Sequence, residues 1–191
     1  ESSTWRLQAD EWMSGTAIVA GLAFVAAILW RRLGRPATGV TEPAWLRHAP
    51  VLACLLATLS FGLSASVADG IAGRQSMQID EIAQTMQART FADGRLVAAT
   101  PAPLEFFATQ HMLYTPRGTF SQFPPGGPAA IALGILAGAE WLVGPVFALL
   151  ALVAWGAWLR ATGEPRGTAL LAFALVALSP FALFMGGSRM N

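Results

Sequence analysis

A chain of 191 residues with 54% hydrophobic and 12% charged side chains falls well short of the roughly 25% charge of soluble domains. Its net charge of +1 offers no basic field for nucleic acid, and its one cysteine, Cys54, can close no intrachain disulfide. No Cys/His cluster of metal-site spacing, phosphate-binding glycine loop or G-x-S-x-G element is present, so the transmembrane span becomes the unit of description.

The first apolar run, residues 13–30, carries no charge and is long enough for about 30 Å of hydrocarbon at 1.5 Å per residue. Its basic flank, Arg31, Arg32 and Arg35, follows the apolar core, which is the wrong order for a secretory signal. A second run covers residues 49–68. Directly after it comes QSMQIDEIAQTMQARTF, residues 75–91. There Ile79, Ile82, Ala83, Met86 and Thr90 recur at helical spacing. Ser76 is the expected N-cap, and Asp80 and Glu81 stand near the first turn, where the helix dipole favours acids. The pattern predicts an amphipathic helix lying on the outer membrane surface, stopped by the ADGR turn at 92–95.

Further on, LYTPRGTFSQFPPGGP at 113–128 predicts a rigid extended turn carrying Gln122 and Phe123, or a helix-entry turn with Pro128 at the first helical position. Residues 126–142 are apolar and are expected to lie at the interface or to re-enter it, with Glu140 and Trp141 at headgroup depth. Two more runs, 142–159 and 168–185, are of spanning length. Pro145 is tolerated in the first turn of one, and Pro180 is expected to kink the other.

Arginine placement orients the chain. Arg31, Arg32, Arg35 and Arg47 flank the first short connection, and Arg160 and Arg166 the last. Both connections are therefore expected in the cytoplasm, with residues 69–141 as one long outer loop. The expected fold is an all-α integral membrane protein with about four spans, forming one membrane domain over residues 1–191.

Chemistry centres on the outer loop. Adjacent helical residues point about 100° apart, so Asp80 and Glu81 cannot face each other and share a proton. A carboxylate here is a general base, a metal ligand, or merely a helix-start acid. His111 is a proton shuttle or a surface histidine. Arg189 is a phosphate ligand or a snorkelling residue at a membrane boundary. No charge lies in the middle of any span, which argues against an ion or proton carrier.

Three motifs stand in order on one predicted face: the DE pair at Asp80 and Glu81, QFPPGGP at 122–128, and SPFALFMGGSRMN at 179–191. Over residues 46–191 this order resembles the GT-C superfamily of membrane glycosyltransferases. It is most similar to the glycosyltransferase family 39 type, which includes the protein O-mannosyltransferases and the lipid A aminoarabinose transferase. The resemblance implies sugar transfer from a polyprenyl-phosphate donor to an acceptor at the outer face of a bacterial cytoplasmic membrane, within the cell envelope. It assigns Asp80 to the family's catalytic acid, which in some members also helps to hold a divalent metal, and Glu81 to its neighbour. Gln122, Phe123, Pro124 and Pro125 match the loop lining the site, and Ser188 and Arg189 the outer end of a later span. Phe123 stands where many relatives have Tyr or His. Family members are usually much longer, so the chain is expected to be an N-terminal part, inactive alone.

Two other classes fit the same residues. One is a non-enzymatic membrane subunit, or part of a transporter, whose outer loop binds a lipid or protein partner. The other is a polyprenyl-phosphate ligase or flippase that binds the lipid without transferring its sugar.

Overall fold

The computed structural model describes residues 42–189. The expected span at 13–30 lies outside them. Within them the fold is mostly helical, and it divides into a bundle of long apolar helices and a cap built from the connection between the first two of these.

A 3₁₀ turn at Ala44–His48 leads into α1, Ala49–Ser66, which continues through a wider π-helical turn at Val67–Ile71. Pro50 falls in the first turn of α1, where its missing N–H costs nothing. Together Ala44–Ile71 form one continuous helix of mean hydropathy 2.0, and only 17% of its most apolar window is buried. So much exposed apolar surface has no stable place in water. After the cap, a 3₁₀ turn at Glu140–Leu142 opens α5, Val143–Ala161, and the pair Glu140–Ala161 has mean hydropathy 2.1. These two helices are long and apolar enough to cross a membrane. Pro145 sits in the first turn of α5 without breaking it.

The expected run at 168–185 is two helices. α6 covers Arg166–Ala177 and α7 covers Pro180–Gly187, bent by 51° at the break. Proline explains the break in full. Pro180 cannot donate to the preceding turn, so the chain restarts with Pro180 at the first helical position and Ser179 as N-cap. The two halves count as a third span only when taken as one.

Leu152 and Leu159 of α5 and Phe173 and Ala177 of α6 form the bundle core, with Ala53, Leu56 and Ala57 of α1 packed against them. Small residues let the helices approach closely, which is how helices associate when the surrounding solvent is itself apolar. Gly144 is the tightest case. A Cβ there would collide with the Ser188 carbonyl and sit 2.8 Å from that of Gly186. Both obstacles are backbone and cannot swing aside. Gly144→Ala is expected to destabilise the protein by about 1–3 kcal/mol, measured as a lowered thermal midpoint in detergent.

The cap contains α2 at Ile79–Ala92, a short α3 at Leu104–Phe107, an antiparallel hairpin and α4 at Gly126–Leu136. The hairpin pairs β1, Met112–Thr115, with β2, Gly118–Ser121, in the register Met112↔Ser121 to Thr115↔Gly118. It corrects the expectation of an all-α fold with a single extended turn at 113–128. Pro116 and Gly118 occupy the second and fourth places of the turn, positions these residues favour. The Ala98 backbone bonds Thr119 at 2.9 and 2.8 Å and adds a third short stretch beside β2.

α4 has 11 residues, too few to cross a membrane. It packs on α2 through Ala88, Ile131 and Ala132. Fully burying Ile131 contributes about 1.5–3 kcal/mol.

Candidate functional site

Helix α2 carries the site, and its faces are arranged unlike those of a soluble helix. Glu81, Thr85, Gln87 and Thr90 are buried, while Ile79, Ile82 and Met86 are 40–42% exposed. The expected apolar stripe therefore divides: Ala83 and Thr90 turn inward with the polar residues, and the three large side chains turn out. The polar groups are inside because neighbouring backbone needs them. The Gln87 amide donates to Leu96 O at 2.9 Å, and its oxygen accepts from Ser121 N at 2.8 Å. One side chain thus fixes both the 96–98 stretch and the hairpin to the helix.

The N-cap is Gln78, correcting the expectation for Ser76. The Ser76 hydroxyl is 3.0 Å from Thr85 Oγ1, one more tie between the segment before the helix and its second turn. At the third helical position, Glu81 reaches back and accepts from Met77 N at 2.7 Å, much as the acid of a capping box does. Its second oxygen accepts from Arg189 N at 3.1 Å. Glu81 is 1% exposed, and each of its oxygens holds a backbone N–H. The acid is an anchor joining the start of α2 to the chain just past α7.

Arg189 belongs to the same cluster. Its guanidinium donates to Glu140 Oε1 at 3.2 Å and to the Arg74 carbonyl, and lies 3.5 Å from Ser76 Oγ. The residue is 7% exposed, so it neither snorkels into solvent nor presents an open fork to a phosphate. Ser188 beside it donates to Met185 O at 2.8 Å. Arg74 lies over the Trp141 ring at 4.6 Å and pairs with Asp69 at 2.5 Å.

Asp80 points elsewhere, as the angle between adjacent helical residues requires. Its Oδ1 is 3.0 Å from His111 Nε2, and both side chains are about one-third exposed. The other ring nitrogen, Nδ1, meets the Gln122 amide, and Gln122 N donates to the His111 carbonyl at 2.9 Å. Phe123 lies beside the imidazole with ring centres 5.5 Å apart. His111 adopts φ 64, a left-handed conformation that costs a non-glycine residue on the order of 1 kcal/mol. Its ring is held on three sides despite that cost.

The structure thus brings Asp80, His111, Gln122 and Phe123 together and puts Glu81, Ser188 and Arg189 in a separate anchoring cluster. Pro124 and Pro125 are exposed and lead into α4, with Pro125 as its N-cap. Gln84, one turn beyond Asp80, reaches the same loop, with its oxygen 2.6 Å from where a Cβ on Gly127 would sit. Gln84 and Gln87 were not singled out from the sequence, and Glu140 was expected only at headgroup depth. The signal was available in part, because Asp80, Gln84 and Gln87 recur at i, i+4 and i+7.

For a divalent cation the donor set is thin. Among the described residues no group of three or more His, Cys, Asp or Glu converges. Beside Asp80 stands one imidazole, and both oxygens of Glu81 are taken. These residues do not fit a protein-held divalent site. No family model, curated protein or solved structure matches the chain.

Proposed function

We propose that the chain is part of a membrane glycosyltransferase of the GT-C kind, taking a sugar from a polyprenyl-phosphate donor with Asp80 as the base. One observation carries the reading. Asp80 is an accessible carboxylate with one oxygen held 3.0 Å from a histidine, at the end of the bundle where α1 and α7 finish and α5 begins. The second oxygen has no partner among the described residues and suits a substrate. The exposed Ile79, Ile82 and Met86 on the same helix suit a surface in contact with lipid, where a lipid-borne donor would be met.

The step is a direct displacement. The acceptor hydroxyl gives its proton to Asp80 as its oxygen bonds the anomeric carbon. The bond from that carbon to the phosphate oxygen breaks, and the polyprenyl phosphate leaves with the electron pair. Only one base is required, in keeping with one usable acid. The arginine bias favours an outward-facing position for this end of the bundle, in keeping with a donor met at the outer face of a bacterial cytoplasmic membrane.

The test is transfer of radiolabelled sugar from a polyprenyl-phosphate donor in membranes from cells expressing the full-length gene. Label appearing on an acceptor supports the reading. Membranes that transfer none from any such donor, with the protein folded and present, turn the assignment toward a lipid-binding or assembly subunit.

A further inference from the structure

Hydrogen-bond logic in the Asp80–His111–Gln122 chain is tighter than its distances alone suggest. Nε2 faces a carboxylate oxygen at 3.0 Å, and a carboxylate only accepts. Nε2 must therefore carry a proton. The other ring nitrogen faces the Gln122 amide, which can donate through its nitrogen or accept through its oxygen. Two arrangements satisfy every atom. In one, the Gln122 N–H donates to a bare Nδ1 and the ring is neutral. In the other, the ring is doubly protonated and the amide has turned over. The Nδ1–H tautomer is excluded, because it would aim the Nε2 lone pair at Asp80. With the Gln122 amide nitrogen assigned to the side facing Nδ1, the first arrangement holds.

We infer that Gln122 sets the tautomer of His111, and that His111 is a positioning residue for Asp80: a neutral N–H donor that holds Oδ1 and turns Oδ2 toward the acceptor hydroxyl. The inference rests on the proposed base role of Asp80 for its kinetic consequence, but not for the tautomer itself. It also explains the conformation at His111. A ring placed at φ 64, bonded at both nitrogens and flanked by Phe123, is held in one orientation, as a carboxylate–imidazole pair requires if its tautomer is to matter. The Gln122 backbone helps, because its N–H to the His111 carbonyl ties the strand ends that carry both side chains.

Two measurements decide it. The first is nitrogen-15 NMR of the full protein in detergent micelles with labelled histidine, the His111 signals being identified by their loss in His111→Gln. The expected state is a bare Nδ1 and a protonated Nε2. Gln122→Glu, whose carboxylate can only accept, is expected to put a proton on Nδ1. An Nδ1–H tautomer in the wild type, or signals indifferent to Gln122→Glu, overturns the inference. This holds even if no sugar transfer is ever observed, a result that would count against the proposed function alone.

The second measurement is kinetic. His111→Gln supplies a neutral N–H donor of similar reach and is expected to keep kcat within about tenfold. His111→Phe supplies none and is expected to lower kcat by about a hundredfold with KM little changed, within the range for disturbing a general base. If His111→Gln falls as far as His111→Phe, His111 moves a proton itself and the positioning role is wrong. Should His111→Phe fail to fold, the Gln variant and the NMR spectra remain decisive.

Discussion

Glu81→Ala is expected to destabilise the protein by about 3–5 kcal/mol, although an acid in the first turn of a helix usually contributes a fraction of that. The side chain is 1% exposed and holds two backbone donors, Met77 N at 2.7 Å and Arg189 N at 3.1 Å. Removing it leaves both N–H groups without an acceptor in a place water does not reach, at about 1–3 kcal/mol each. A cavity is left as well. The loss is not local in sequence, because Arg189 N belongs to the chain just past α7, 108 residues on, and its guanidinium ties Glu140 and the Arg74 carbonyl. Once the backbone at 189 is released, α7, α5 and α2 lose their common fastening. Glu81→Gln keeps one acceptor oxygen and is expected to fall between wild type and Ala. Unfolding midpoints in detergent check the order. A Glu81→Ala protein within about 1 kcal/mol of wild type would mean that its two partners find acceptors elsewhere, and the anchor reading would fail.

Asp80→Asn is expected to do the reverse. Asp80 is about one-third exposed, and its partner among the described residues, His111, is equally accessible. Exposed pairs of this kind contribute about 0–1 kcal/mol, so the fold should survive with a midpoint close to wild type. Sugar transfer should fall by about a hundredfold or more, within the range for losing a general base. An amide cannot take the acceptor's proton, although its oxygen can still accept from the N–H of His111. On the proposed function the two neighbouring acids divide the work: Glu81 holds the corner together and Asp80 is the base in it. The contrast guards against the commonest misreading of such variants, in which lost activity merely reports lost protein.

The membrane-scale features were legible in the chain itself. Runs of apolar residues without charge correspond to Ala44–Ile71 and Glu140–Ala161, since length and hydropathy are one-dimensional properties. The break at Pro180 was legible for the same reason: a proline acts on its own turn. The hairpin was missed although Tyr114, Thr115, Thr119 and Phe120 are good strand residues around a Pro-Arg-Gly turn. The two prolines and two glycines that follow drew the whole segment into one loop reading.

The division of labour between Asp80 and Glu81 could not be read from spacing. The rule that neighbours point about 100° apart says they differ, but not which one is buried. That depends on Arg189, 108 residues beyond Glu81. Ser76 failed as the expected cap for a similar reason. Its hydroxyl has a partner in Thr85, nine residues on, and local capping preference does not foresee tertiary contacts.

The central claim is that Asp80 is the base of a sugar transfer, and the most direct measurement is transfer by wild type and Asp80→Asn in the same membranes, normalised to folded protein. Robust transfer by the wild type is expected, with a loss of about a hundredfold or more in the variant at equal folded amount. Transfer that survives the substitution would leave Asp80 as a helix-start acid bonded to a histidine, and the mechanism would be wrong.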